Sequence, residues 1–267
     1  MFSVPLGIVD GYFTKHNELK KFMYDVVDRY QPDHRWEFGG GGIENYFNPP
    51  GYLDDDPTLY DSLFLIDEPI LKEFNAWCVE QIDFFVSNTL EYLNPKGGMI
   101  LDCWGNRCTE EGAYVVPHIH TNCIVSATYN LNFDPAQHAC LEFINPLNQG
   151  GTAPMIEMAS VENNQFNALN LTTRAKEGDF LMWPSYLKHG YGASQIHEPY
   201  KNNIDRFTLA MNYMPKQVTS SRYAFKVSPP DPDAIRWEEG AAYLEDDYER
   251  HKKASTGHPI RPGELPR

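Results

Sequence analysis

The chain lacks any run approaching the roughly 18 apolar residues needed to cross a bilayer. Its opening, Met1 to Phe13, also lacks a basic stretch followed by a long apolar one. Neither a membrane span nor a secretory leader is expected. Positive charge is scarce as well: 22 Lys and Arg stand against 37 Asp and Glu, for a net charge of -15. A chain this acidic repels a phosphate backbone, so nucleic acid is not an expected partner. Nine acidic and nine basic residues lie from Lys216 to Arg267, which leaves 28 acidic and 13 basic in the first 215, so the acidity belongs to the main body. Cysteine is sparse. Cys78, Cys103, Cys108, Cys123 and Cys140 are odd in number and include no Cys-x-x-Cys pair or zinc-ribbon spacing. They read as free thiols of a reducing compartment, most simply the cytoplasm.

At 267 residues the chain suits one domain with additions. Residues 1–98 read as a helical and loop region. Residues 17–30 place Leu19, Phe22, Met23, Val26, Val27 and Tyr30 on one helical side, with Asn17 as a possible cap. From Pro32 through Gly39-Gly40-Gly41-Gly42 to Pro57, glycine, proline and aspartate predict irregular loop. A stronger helix follows: Asp67 suits the cap, Pro69 the first turn, and Ile70, Phe74, Trp77, Cys78, Ile82 and Phe85 recur at helical spacing. Its aromatics are expected to pack on a sheet. Asn94-Pro95-Lys96-Gly97-Gly98 is a stop.

From residue 99 to 215 the period shifts towards two. Met99–Trp104, Ile124–Leu131, Ala139–Ile144, Met155–Met158, Asp179–Trp183 and Arg206–Tyr213 read as short strands bounded by turn residues. Such a series predicts a mainly β sandwich or barrel, with the preceding helices covering one face. Residues 216–267 form a C-terminal extension with one helix opening at Asp231-Pro232-Asp233.

The candidate chemistry centres on Val115-Val116-Pro117-His118-Ile119-His120. In an extended strand alternate side chains share a face, so His118 and His120 can grip one ion. His189, in Pro184-Ser185-Tyr186-Leu187-Lys188-His189-Gly190, is the best third ligand because it follows a strand-like run. With nine histidines in the chain, a His-x-His pair alone can be chance. In the last strand, alternation puts Arg206, Thr208, Ala210 and Asn212 on one face and Phe207, Leu209, Met211 and Tyr213 on the other. A buried arginine without an acidic neighbour needs an anion, and a planar guanidinium beside a hydroxyl receives a carboxylate. A structural salt bridge is the plainer reading of Arg-x-Thr.

The ordered series Trp104-Gly105-Asn106, His118-Ile119-His120, Pro184-Ser185-x-x-x-His189 and Arg206-Phe207-Thr208 resembles the iron(II)- and 2-oxoglutarate-dependent oxygenases. The likeness runs from about Trp104 to Tyr213 and is nearest to uncharacterised 2OG-Fe(II) oxygenases with a His-x-His…His…Arg-x-Ser/Thr series. It implies a double-stranded β-helix, a cupin-like jelly roll, flanked by the N-terminal helices. It also implies Fe(II) held by His118 and His189, with His120 where the family commonly has a carboxylate. Arg206 and Thr208 would hold the distal carboxylate of 2-oxoglutarate. Asn130 falls where prolyl-hydroxylase-like members place a polar co-substrate contact, and Asn106 belongs to the same co-substrate set. Should His120 point away, the acids to consider are Asp102, Asp134, Glu142 and Asp179.

The function expected is an oxygenase, most often a hydroxylase, that couples 2-oxoglutarate decarboxylation to oxidation of a substrate. Its partners would be dioxygen and either a small molecule or a peptide side chain, with homodimerisation left open. A cupin-like or zinc-dependent enzyme, or a metal- or 2-oxo-acid-binding module without turnover, stands as the alternative. The interval of 16 residues between His189 and Arg206 is long for the family and includes Ala193–Tyr200, a candidate substrate loop.

Overall fold

The structure is a computed structural model that describes residues 4–10, 13–29, 32, 39–40, 42–46, 62–146, 168, 170–192, 202–220 and 223–226. The chain divides into two units, residues 1–227 and 228–267, and the second lies outside the described residues. So do the expected helix after Asp231, the expected strand at Met155–Met158 and the insert Ala193–Tyr200.

The N-terminal part supplies β1 (Gly7–Val9), α1 (His16–Arg29), β2 (Gly39–Gly40), β3 (Ile43–Tyr46) and α2 (Pro69–Phe84). Helix α1 begins two residues earlier than the Asn17 cap implies, because its first residue is tied into the fold. His16 Nδ1 meets the Tyr129 hydroxyl at 2.7 Å and its Nε2 lies 3.0 Å from Glu177. Asp67 is likewise not the cap of α2: that position falls to Glu68, and Asp67 pairs with Lys72. Pro69 does take the first turn, where its missing N–H costs nothing. The expected loop between 32 and 57 contains two strands instead. Glycine lacks strand propensity, yet Gly39 and Gly40 pair with Val115 and Tyr114, and Ile43–Tyr46 pairs with Gly105–Cys108. A waiting edge strand overrides local composition.

Eight further strands build the body: β4 (Gly98–Cys108), β5 (Tyr114–His118), β6 (Val125–Asn132), β7 (Glu142–Ile144), β8 (Asn170–Thr172), β9 (Phe180–Pro184), β10 (His189–Tyr191) and β11 (Phe207–Pro215). The larger sheet has the order β1-β9-β6-β11-β4-β3 and the smaller has β2-β5-β10-β7-β8, with every pairing antiparallel. The chain passes between the sheets as it runs from β4 to β11, and this winding is the double-stranded β-helix expected. A hairpin of β12 (Gln217–Ser220) and β13 (Tyr223–Lys226), absent from the sequence reading, follows.

Alternation along β6 and β11 gives the larger sheet two unlike faces. Val125, Ala127, Tyr129, Leu131, Phe207, Leu209, Met211 and Tyr213 join α1 and α2 in the main apolar core. Phe74 of α2 meets Tyr129 edge-on at 5.0 Å, and Trp77 lies 5.3 Å from Phe180. The other face turns inward, towards the smaller sheet.

Candidate active site

The inward face carries polar side chains. Asn106 of β4, Ser126 and Thr128 of β6, Arg206 just before β11 and Thr208 within it all line one cavity with His118, His120 and His189. His118 closes β5 and His189 opens β10, and the two are direct partners across the ladder. These strands run unusually close: a Cβ on Gly190 would sit 2.5 Å from the Val115 carbonyl oxygen. Only glycine permits that approach. His120 lies beyond the end of β5 in the connecting loop, so strand alternation does not place it as expected. That position is held by the His120 N–H donating to the Ser185 carbonyl at 3.1 Å, and Trp104 stacks on the ring at 5.9 Å with 20 degrees between the ring planes.

The three imidazoles each offer one nitrogen, and these atoms all lie within 4.8 Å of one another. His118 Nε2 and His120 Nε2 are 3.1 Å apart. Ligands at a metal–nitrogen distance of about 2.1 Å sit roughly 3.0–3.4 Å apart in octahedral or tetrahedral arrangements, so this spacing suits a shared cation. Tautomers agree with that use. His118 Nδ1 is 2.9 Å from the Val116 carbonyl and must donate to it, which leaves Nε2 with its lone pair. His189 Nδ1 faces both the Leu187 carbonyl at 2.8 Å and the Trp183 Nε1–H at 3.1 Å. One nitrogen cannot donate to the first and accept from the second. We assign the proton to Nδ1, because a carbonyl oxygen can only accept and its contact is the shorter; the indole N–H then faces the imidazole ring. Burial pushes all three histidines below their usual range, His120 to about 4, with His118 also disfavouring a second charge on His120. The cluster is a set of neutral donors near pH 7.

Arg206 is 2% exposed. Its Nε donates to the Ala139 carbonyl at 3.1 Å, and its guanidinium lies 3.7 Å from the centroid of the Tyr191 ring. Its Nη1 is buried without a hydrogen-bond partner, and no acidic side chain pairs with it among the described residues. The turn that delivers it is locally specified: Asn203 and Asp205 adopt the left-handed conformation that Asn and Asp tolerate best. Asn203 is fully buried, accepting from the Ala139 N–H at 2.6 Å and donating to the Ala113 carbonyl at 2.8 Å. Asp205 is engaged by Arg107 Nε at 2.9 Å and by Tyr24 at 2.7 Å.

Of the residues singled out in the sequence, His118, His120, His189, Arg206, Thr208 and Asn106 share this cavity, and Asn130 does not. The Asn130 amide instead donates to the Lys176 carbonyl at 3.2 Å, where it fastens the turn before β9. Tyr191, Trp183 and Asn212 were not assigned roles from sequence. Tyr191 was within reach, since alternation from His189 puts it on the ligand face; its hydroxyl donates to Asn106 Oδ1 at 2.9 Å. Asn212, already on the Arg206 face, lies near enough to His120 to raise its pKa against the effect of burial.

Residues 102–212, 111 of the 267, match the sequence family described as "Putative 2OG-Fe(II) oxygenase". Over this stretch the chain is similar to the 2OG-Fe(II) oxygenases. Iron(II) and 2-oxoglutarate are the metal and co-substrate of that family, and dioxygen is its oxidant. No curated protein sequence matches the chain. Among solved structures the chain is similar to a prolyl-4-hydroxylase from Pseudomonas putida, at 12% identity over 79% of this chain and 93% of that one, with a TM-score of 0.49. It is also similar to HygX from Streptomyces hygroscopicus, solved with nickel and 2-oxoglutarate, at 13% identity over 85% and 93%, with a TM-score of 0.47. The epimerase SnoN from nogalamycin biosynthesis is another, at 11% identity over 86% and 90%, with a TM-score of 0.47. Among the described residues no helix is long and apolar enough to cross a membrane.

Proposed function

We propose that His118, His120 and His189 hold Fe(II), that Arg206 and Thr208 hold the distal carboxylate of 2-oxoglutarate, and that the oxygenase hydroxylates its substrate. The observation that carries this reading is the buried Arg206, whose Nη1 lacks a partner in the same cavity as three neutral imidazoles. A buried cation without a counter-ion is costly, and a dianionic co-substrate would relieve the cost. The guanidinium is flattened against Tyr191 and anchored at Nε, so its free edge is presented in a set direction. Thr208 adds a hydroxyl to the same face, and Asn106, tied to Tyr191 and to Asn45 at 3.0 Å, adds a fixed amide. When bound, the metal would activate dioxygen, the oxidant, with 2-oxoglutarate supplying two of the electrons, so that one oxygen atom enters succinate with loss of carbon dioxide and the other converts a C–H bond to C–OH. The protein's share is to keep the donors unprotonated, to orient the co-substrate and to keep the larger sheet's inner face dry.

Three neutral imidazoles also suit a zinc enzyme that activates water. The free guanidinium edge favours the 2-oxo acid, because zinc-bound water needs no dianion receptor. The substrate class we assign is a small molecule or a peptide side chain, since the acidic surface disfavours nucleic acid. Five free cysteines suit a reducing compartment such as the cytoplasm. The test is an anaerobic Fe(II) titration with and without 2-oxoglutarate, read by the weak visible charge-transfer band, followed by succinate release in air. A band that appears without any need for 2-oxoglutarate, or no succinate above the metal-free control, would overturn the reading.

A further inference from the structure

We propose that Asp102 is a positioning residue for the histidine cluster, acting on His120 through Asn212 and supplying from behind the negative charge that three imidazoles lack. The inference rests on the metal-binding reading above. Its basis is a lateral row across three strands: Asn212 of β11 is in register with Asp102 of β4 on one side and Ser126 of β6 on the other. Asn212 is 3% exposed and lies within interaction range of both the Asp102 carboxylate and the His120 ring.

The direction of this relay follows from its neighbours. Cys123 Sγ and Ser126 Oγ lie 3.2 and 3.4 Å from Asn212 Oδ1, so that atom is the acceptor and the amide NH2 is left for the carboxylate. In this relay the His120 Nδ1–H is directed at Oδ1, which would give His120 the same tautomer as His118 and His189. Asp102 also accepts from Asn122 at 3.4 Å, whereas its Oδ1 is buried and has no partner. No ion pair among the described residues engages it. Trp104, two residues further along the same inward face of β4, stacks on His120. One strand therefore addresses the least anchored ligand twice, once through a ring and once through a charge.

A carboxylate in this position does not serve the empty fold. Burial pushes the Asp102 carboxyl up to about 6, despite the hydrogen bonds from Asn212 and Asn122 that hold it down. The folded chain thus resists the charge that this residue carries near pH 7. A divalent cation at the histidines changes the balance. A site of two histidines and a carboxylate leaves one net positive charge on a divalent ion, while three histidines leave two. A carboxylate behind His120 restores the missing unit and strengthens the imidazole as a donor, as carboxylate partners of metal-bound histidines do.

Cobalt(II), a spectroscopically visible and air-stable probe, tests this on the full chain. Asp102→Asn keeps the shape and removes the charge. Its Co(II) affinity is expected to fall about ten-fold with a shifted visible spectrum, while the metal-free melting temperature stays level or rises. Asp102→Glu is expected to recover part of the affinity. In an Asn212→Ala background, Asp102→Asn should add no further loss, because the relay is already cut. A Co(II) affinity for Asp102→Asn within about two-fold of the parent, or a full additional loss in the Asn212→Ala background, overturns the proposal. If Asp102→Asn does not fold, Asn212→Ala alone carries the test: a similar loss is expected, and parental affinity overturns the proposal. His118→Ala separates the two readings, since it must abolish Co(II) binding; if it does not, the metal site itself is wrong and the relay falls with it.

Discussion

The two faces of the larger sheet are built from the same strands and obey opposite rules. Outward, Tyr129, Phe207, Leu209 and Met211 meet Phe74 and Leu19 in a buried apolar layer. Inward, Ser126, Thr128, Arg206, Thr208 and Asn212 are as well buried but polar, and Arg206 and Asp102 each keep an atom without a partner. The outward face is packed for stability, whereas the inward face holds polar groups with capacity left for a ligand. Single substitutions should therefore separate stability from binding along one strand.

The largest expected effect is on binding. His189→Ala should reduce metal affinity by more than the roughly 10–100-fold that outer partners of ligands contribute, with a modest change in melting temperature, as isothermal titration with Ni(II) would measure. Next, on the opposite face, Phe74→Ala should destabilise the fold by about 3–5 kcal/mol in urea denaturation and leave metal affinity unchanged. A matching loss of affinity would mean that the faces are not separable. Arg206→Lys keeps the charge and loses the planar fork, at about 1.5–3 kcal/mol for a charge-assisted pair. Competition titration should find 2-oxoglutarate binding weakened roughly ten- to a hundred-fold at unchanged metal affinity. If melting temperature falls and 2-oxoglutarate affinity does not, Arg206 is structural.

At His120 the comparison is finer. His120→Asp should retain iron, since it restores the commoner donor set, whereas His120→Ala should bind less; equal iron content in His120→Ala and the parent would remove His120 from the site. The smallest effect is that of pH. The folded chain lowers the three imidazoles from a usual value of 6.5, His120 to about 4, so the unfolded chain takes up protons first as pH falls. Stability of the metal-free protein is present above about 6.5 and should decline towards 4. Asp102, raised to about 6, works in the opposite sense over the same interval and blunts the decline. Thermal melts between pH 7.5 and 5 should show a steeper slope for Asp102→Asn.

Much of this division is legible in the sequence because a strand's period of two sorts residues without knowledge of their partners. Arg206, Thr208 and Asn212 separate from Phe207, Leu209 and Met211 on inspection. What depends on tertiary closure is not legible. Gly39 and Gly40 become a strand only because β5 offers an edge. His120 leaves the strand after His118 and is recovered by the Ser185 carbonyl, 65 residues away in sequence. Asn130 fits a family position, yet the Lys176 carbonyl claims its amide.

The register that sets His118 against His189 has a practical consequence. These residues are neighbours only when β5 and β10 have paired, so an unfolded chain holds no comparable set of donors. An ion that binds only the native state stabilises it by about 2.7 kcal/mol at a hundred times its dissociation constant. For a chain of this size that is about 5–10 °C in melting temperature. Heat resistance thus becomes a gauge of occupancy that requires no knowledge of the substrate, and candidate small molecules can be ranked by the further degrees they add to the iron- and 2-oxoglutarate-loaded protein.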